Sequence, residues 1–306
     1  MKEIHLILNS SCNQKCLFCA TATQDDFYIS TPGAKLLIDK AIKNGADRID
    51  FSGGEATLRK DLPLLVNYIK EKDKNIYVTL LTNAICLADI KHASPLKNVD
   101  SFSISCHGAT AKINDALTRS KGNFKKTLAG ARIVQRLKYY FSFYFVVTTI
   151  NFHEIIDFVK LIKKEFPMAA SITFSYPYQG GSMFKHPELQ PKLTKIIPLL
   201  IKAKRLYENK DYSFHISLSS CGLMPLCVAG SLRELILENN RLYNEQSITT
   251  FTPSGRRSYL VTNKDFQNDN FVRAKACKKC RYKHLCPGVW KSYFEIYGTG
   301  ELKAIK

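Results

Sequence analysis

The chain has 306 residues, 45% of them hydrophobic, enough to bury a substantial core in one catalytic domain with a small appended one. No apolar run approaches the ~20 residues of a membrane span; the longest, residues 139–150, includes Ser142 and two threonines, and Met-Lys-Glu-Ile-His at the start lacks a secretory signal pattern, so a reduced, cytoplasmic setting is expected. With 45 Lys and Arg against 26 Asp and Glu, the formal charge of +19 invites anionic partners.

In chain order, an apolar strand at Ile4 to Leu8 leads into Cys-Asn-Gln-Lys-Cys-Leu-Phe-Cys, which sets Cys12, Cys16 and Cys19 in eight residues. Three soft thiolates on one loop can grip three corners of a cubic iron–sulfur cluster and leave the fourth iron open. Zinc is the alternative, but it wants four ligands, and the nearest histidine, His5, lies in the strand. After a helix at Pro32 to Asn44, the strand Arg48 to Ser52 ends in Gly53, Gly54 and Glu55. Paired glycines let backbone approach a ligand closely, and the carboxylate can accept hydrogen bonds from an ammonium group; a tight turn before the helix at Leu62 to Lys72 is the structural alternative.

Strands at Tyr77 to Leu81, Ser101 to Ser105, Phe141 to Thr148 and Ser171 to Ser175 follow, with helices at Phe124 to Leu137 and Ile155 to Phe166. Thr82 and Asn83 end the third strand, Ser105, Cys106 and His107 the fourth, and Asn151 follows the fifth. Each is either a ligand-facing group or a cap of the next helix. His107 approaches substrate or, as is favoured, satisfies a neighbouring carbonyl, and Cys86 and Cys106 are expected to be small buried residues. Beyond residue 185 come a helical run at Leu189 to Tyr207 and a less regular region with Cys221 and Cys227. Cys277, Cys280 and Cys286 then stand in a Cys-x2-Cys-x5-Cys run that suggests a second metal site, its fourth ligand being Cys227 or Cys221, with His284 a less favoured option.

The cysteine loop after the first strand, Phe18 before its last cysteine, and the Gly-Gly-Glu at the second strand's end together resemble the radical S-adenosylmethionine enzymes. The resemblance implies an α/β fold built as a partial (βα)6 TIM-like barrel, with working groups at the carboxyl ends of the strands, and a small C-terminal cluster-binding extension. It implies a barrel core over residues 1–185 and an extension over 186–306. It further implies that Cys12, Cys16 and Cys19 hold a [4Fe-4S] cluster whose open iron chelates S-adenosylmethionine. Gly53, Gly54 and Glu55 would hold the methionine ammonium, Phe18 would lie beside the cofactor, and Thr82, Asn83 and Ser105 would bind its ribose or carboxylate. One electron from a donor such as flavodoxin or ferredoxin would split the sulfonium bond, giving a 5′-deoxyadenosyl radical that takes hydrogen from substrate.

The C-terminal run resembles SPASM and twitch extensions, which hold auxiliary [4Fe-4S] clusters, but Trp290 stands where the full pattern has a further cysteine. The cysteine count then implies one auxiliary cluster, on Cys227, Cys277, Cys280 and Cys286, with zinc as the alternative. The substrate expected from this architecture is a peptide or protein, with a small metabolite or cofactor precursor second. A non-catalytic zinc adaptor on nucleic acid is the reading from another class; Glu55 after two glycines argues against it, as do lysines scattered over solvated faces and the missing nucleic-acid-binding motifs.

Overall fold

The computed structural model describes residues 2–22, 26–207, 215–218, 224–238, 249–252, 255–258 and 269–306. Six parallel strands form the core of the sheet: β1 (Glu3–Ile7), β2 (Arg48–Ser52), β3 (Tyr77–Thr82), β4 (Ser101–Ser105), β5 (Phe141–Val146) and β6 (Ser171–Ser175). Helices α1 (Thr31–Lys43), α2 (Leu62–Lys72), α3 (Ile90–Ala93), α4 (Ala111–Thr118), α5 (Asn123–Arg136), α6 (Ile155–Glu165) and α7 (Leu193–Tyr207) connect and follow them. This is the parallel βα sheet that the alternation of strands and helices leads one to expect, and the partial barrel that the resemblance implies.

Parallel strands covered on both faces normally read as unbroken apolar runs. Here they alternate. Ile4, Leu6, Ile49, Phe51, Val78, Leu80, Phe102, Ile104, Phe143 and Phe174 are fully buried in one core with Ile38, Leu65, Ile69, Val134 and Phe158 of the helices. The opposite face carries His5, Asp50, Thr79, Ser103, Tyr144 and Thr173, because successive side chains of a strand point to opposite faces. The barrel interior is therefore polar rather than filled by branched aliphatics, and a polar interior leaves room for something other than core.

Three strands escape the pattern analysis. β7 (His215–Leu218) pairs parallel with β6, β8 (Thr249–Thr252) pairs parallel with β1, and β9 (Gly255–Ser258) pairs antiparallel with β8. The sheet order is β7-β6-β5-β4-β3-β2-β1-β8-β9, so strands past residue 185, in the region expected to be less regular, extend both edges of the barrel sheet. α7 starts at Leu193 rather than Leu189, since Pro191 drives its predecessor out of the helical region and leaves only a turn at Pro187–Leu189. α4, also unforeseen, is capped by Thr110, whose hydroxyl accepts from the Ile113 N–H, and ends on left-handed Arg119. At the C-terminus β10 (Phe271–Val272) and β11 (Val289–Trp290) form a short antiparallel pair before the helix Lys291–Tyr297.

Candidate active site and second cysteine site

The cysteine loop is pinned on every side by backbone. Gly54 N–H donates to the Asn9 carbonyl and Glu55 N–H to that of Ser11, both at 2.8 Å. A Cβ on Gly54 would lie 2.1 Å from the Ser11 oxygen, and one on Gly53, at φ +139°, 2.6 Å from the Asn9 oxygen. The paired glycines thus let the end of β2 meet the start of the loop. From the other side, Lys15 N–H donates to Thr118 and Leu17 N–H to Leu117, at the end of α4. Phe18 packs with Leu117, Met183 and Leu189 and sets its ring 4.6 Å from that of His107, edge on. Ser182 N–H closes the loop on the Cys19 carbonyl (2.9 Å), where Gly181, at φ +56°, leaves 2.2 Å for a Cβ that glycine lacks.

Cys12 is exposed at the loop's rim, and Cys16 and Cys19 are half-buried; all three are free thiols. Burial, then the neighbouring charges of Glu55 and Cys19, push the Cys12 thiol up to about 11 against the hydrogen bond from Gln14 N–H. Burial, then Cys19 and Cys12, push Cys16 up further. The three sulfurs sit on one eight-residue loop. A cation there reverses the effect by taking the charge of the thiolates, with release of protons. The donor set fits a three-point grip on an iron–sulfur cluster.

The Glu55 carboxylate is met by donors from the turn after β2 and from the end of β3. Its Oε1 accepts from Thr57 N–H (3.0 Å), Thr57 Oγ1 (2.6 Å) and Thr82 Oγ1 (2.7 Å), and its Oε2 accepts from Asn83 N–H (2.7 Å). It is 2% exposed and ties the ends of β2 and β3 together. Among the described residues nothing donates to the Gly54 carbonyl, whereas that of Gly53 accepts from Thr21 Oγ1. Asn83 Nδ2 donates to Asn13 Oδ1 within the cysteine loop (2.6 Å) and lies 4.0 Å from Cys12 Sγ. Ser105 ends β4 on the interior face, half-buried.

His107 is fully buried; its Nδ1 accepts from Val146 N–H, a donor rather than the carbonyl expected, and burial lowers its pKa to about 3. Asn151 is spent on the His107 and Val146 carbonyls and on Thr148 N–H, a fastening of the β5 turn. Cys106 is buried as expected. Cys86 is not: it is half-buried, 3.8 Å from Asn13 Nδ2, because the turn after β3 brings it to the cysteine loop. Residues that sequence reasoning passed over include Asn9, whose Nδ2 holds the Ser11 and Glu55 carbonyls, and Arg59, which holds those of Leu8 and Ile29. Neither sits in a motif; a lone Asn before the first cysteine was the only signal.

At the other cysteine cluster, Cys227, Cys277, Cys280 and Cys286 line one cavity of roughly 340 Å³ including its mouth, with Arg273, Lys283 and Lys303 on the rim. Burial raises the thiols of Cys227 and Cys286, and Cys277 adds to both. Lys303 N–H lies 3.5 Å from Cys227 Sγ. Cys221 lies outside the described residues, and exposed His284 is absent from the lining. Trp290 belongs to β11 and is buried, 4.2 Å from the Phe271 ring and 5.7 Å from Tyr178, so the chain has turned away from the sulfurs by that point. Four free cysteines lining one cavity are the donor set of a cubane; no three of their sulfurs all lie within 4.8 Å of one another, wider than a single four-coordinate metal asks. Residues 176–190 touch Cys19 through Ser182, the terminal helix through Tyr176 and β11 through Tyr178.

The amino ends of the strands open onto a second cavity of roughly 950 Å³ including its mouth, lined by Arg48, Tyr77, Ser101, Ser142 and Ser171 among others. Beside it Glu3, His5, Asp50 and Arg48 form an ionic group, with His5 Nε2 2.6 Å from Glu3 and Arg48 Nε 2.8 Å from Asp50. Burial pushes Glu3 up, but the hydrogen bond and charge of His5 and the charge of Arg48 outweigh it and bring the carboxyl to about 2. His5 is raised in turn, as burial is outweighed by its bond to Glu3 and the charge of Asp50.

The sequence model of the Radical SAM superfamily matches residues 6–162. Fe-coproporphyrin III synthase of Methanosarcina barkeri is 28% identical over 207 residues, covering 66% of this chain and 51% of that protein, so the chain spans about half its length. A probable GTP 3′,8-cyclase of Saccharolobus solfataricus is 27% identical over 274 residues, covering 81% of this chain and 85% of that protein. Streptococcus suis SuiB, solved with S-adenosylmethionine, shares the fold at a TM-score of 0.70 with 14% identity, over 99% of this chain and 76% of that one. The same protein bound to its precursor peptide SuiA scores 0.67, again at 14% identity and covering 99% and 75%.

Proposed function

The chain belongs to the Radical SAM superfamily, and from that premise we propose that it is an enzyme that uses a 5′-deoxyadenosyl radical to oxidise or cross-link a peptide or protein substrate. The [4Fe-4S] cluster and S-adenosylmethionine of the family supply that radical by one-electron cleavage of the sulfonium. Cys12, Cys16 and Cys19 hold the cluster. The Gly54 carbonyl and its neighbours receive the methionine ammonium, and Glu55, through Thr57, Thr82 and Asn83, fixes the strand ends that shape this pocket. Asn83 orients the loop through Asn13, Ser105 reaches the cofactor from β4, and Phe18 walls it off beside neutral His107. The barrel core and an extension bearing a twitch-like auxiliary [4Fe-4S] cluster on Cys227, Cys277, Cys280 and Cys286 divide near residue 185. A reducing cytoplasm and an acidic electron donor such as flavodoxin or ferredoxin complete the system.

The observation that carries this reading is the second set of four cysteines lining one cavity, in addition to the first set of three, since two redox centres suit a net two-electron oxidation. The polar barrel interior suits an occupant rich in hydrogen-bonding groups, as a peptide backbone is. The names of the curated relatives favour a second reading, a small-molecule substrate. Anaerobic incubation of the reduced protein with S-adenosylmethionine, reading 5′-deoxyadenosine by mass, tests the first step. Cys16→Ala should abolish the product. Cys280→Ala should leave uncoupled cleavage largely intact and stop turnover of substrate. If neither variant changes anything, the division of labour between the two sites is wrong.

A further inference from the structure

Away from both cysteine sites, one polar row crosses the barrel interior near the amino ends of the strands. His5 of β1 pairs with Asp50 of β2, and Asp50 with Thr79 of β3, so the three side chains stand side by side on the interior face. Glu3 lies two residues earlier on β1, on the same face and paired with Arg48. Three ligand atoms meet there: His5 Nε2 is 2.6 Å from Glu3 Oε1 and 3.3 Å from Asp50 Oδ2, and all three lie within 4.8 Å of one another. Two ligands bound at about 2.1 Å to one metal stand roughly 3.0–3.4 Å apart, so the group is close to the spacing of a coordination site. Thr79 supplies a second, independent observation. It is 3% exposed, and its Oγ1 finds no hydrogen-bond partner among the described residues. A buried hydroxyl in that position costs free energy unless something else meets it.

We propose that Glu3, His5 and Asp50 bind a divalent transition-metal ion at the amino end of the barrel, separate from the cysteine sites. One imidazole with two carboxylates and no thiolate is a donor set that suits Mn²⁺, Fe²⁺ or Zn²⁺. The ion takes the place of the proton that His5 Nε2 shares with the two carboxylates, and that proton goes to solvent. Three protein ligands leave positions open. Water fills them from the cavity beside the group, and one such water donates to Thr79 Oγ1. Arg48 does not compete for the same atoms: its Nε holds Asp50 Oδ1 at 2.8 Å, whereas Oδ2 is the oxygen nearest His5. It orients that carboxylate as an outer partner. The two carboxylates offset the cation and leave only the charge of Arg48 over. Bound there, the ion ties β1 to β2 at the barrel face that serves stability rather than chemistry. Neither cysteine site contributes a ligand, so the ion binds whatever metal those sites hold.

The test uses the anaerobically loaded holoprotein, whose cysteine sites are already filled, and Mn²⁺ as the probe, since it is paramagnetic and prefers oxygen and nitrogen to sulfur. Loss of the sharp free-ion electron paramagnetic resonance signal should show one Mn²⁺ bound per chain. Pulsed measurement of the bound ion should show nitrogen coupling from an imidazole. Asp50→Asn, which keeps the size of the side chain, should weaken binding by about 10–100-fold or more, the lower figures being those for loss of a mere outer partner. Mn²⁺ should raise the melting temperature of the native protein and not that of the variant. If circular dichroism shows that Asp50→Asn does not fold as the native protein does, Glu3→Gln, nearer the surface, is read in its place with the same expectation. No bound Mn²⁺, bound Mn²⁺ without nitrogen coupling, or equal affinity in native protein and variant would each overturn the site.

Discussion

Replacing Glu55 by Gln separates two roles that its sequence context leaves merged. The carboxylate accepts four hydrogen bonds at 2.6–3.0 Å, three on Oε1 and one on Oε2. Glutamine keeps one acceptor oxygen and brings an NH₂ that must face a donor. In its better orientation the oxygen retains the two threonines and the NH₂ opposes Asn83 N–H, which is buried beside the cysteine loop. Losing that charge-assisted bond costs about 1.5–3 kcal/mol, and the three remaining bonds weaken from charged to neutral. A total of about 3 kcal/mol follows, which lowers Tm by roughly 5 °C at the sensitivity of a chain of this size. Differential scanning calorimetry of anaerobic apoprotein measures the first quantity, and hydrogen exchange at the Asn83 amide should speed up alongside it. S-adenosylmethionine binding, followed by its effect on the cluster's electron paramagnetic resonance, should weaken only as far as the loop loosens. A variant as stable as the native protein, yet unable to bind S-adenosylmethionine, would refute this reasoning and make Glu55 a direct ligand.

Gly54→Ala forces a methyl to within 2.1 Å of the Ser11 oxygen, a backbone atom that cannot swing aside, so the cysteine loop should move and cluster loading, read as iron per chain, should fall severalfold. Cys227→Ser should lower metal content at the second site only, leaving the visible spectrum of the first; loss of both or of neither would contradict the assignment of four ligands. The Glu3–His5 pair gives a pH signature. Glu3, lowered from 4.5 to about 2, stabilises fully above 4.5 and loses this as pH falls toward 2. His5, raised above 6.5, stabilises fully below 6.5 and loses this as pH rises through its folded value. The stability advantage of the native protein over Glu3→Gln should therefore be greatest between about pH 4.5 and 6.5, on the order of 1–3 kcal/mol by chemical denaturation, and vanish near pH 2. A flat difference across that range would rule the pair out.

What the amino-acid sequence determined alone is the local and the covalent. Period-two and period-three-four patterns placed six strands and their helices because each element must bury one face, and β2, β4, β6 and α2 were located to the residue. The cysteine spacings pointed to two candidate metal sites because ligands on one loop need only short chain. Tertiary structure decided whatever depends on segments far apart in the chain. It made Glu55 a tie between strands, since its donors come from Thr57 and from Thr82 and Asn83 at the next strand's end. It drew Cys227 to three sulfurs fifty or more residues later, and it built β7, β8 and β9 into the sheet, four-residue strands whose pairing, not their period, makes them strands. Propensity and spacing are read along the backbone, whereas a hydrogen-bond partner or fourth ligand is set by how the packed elements cross.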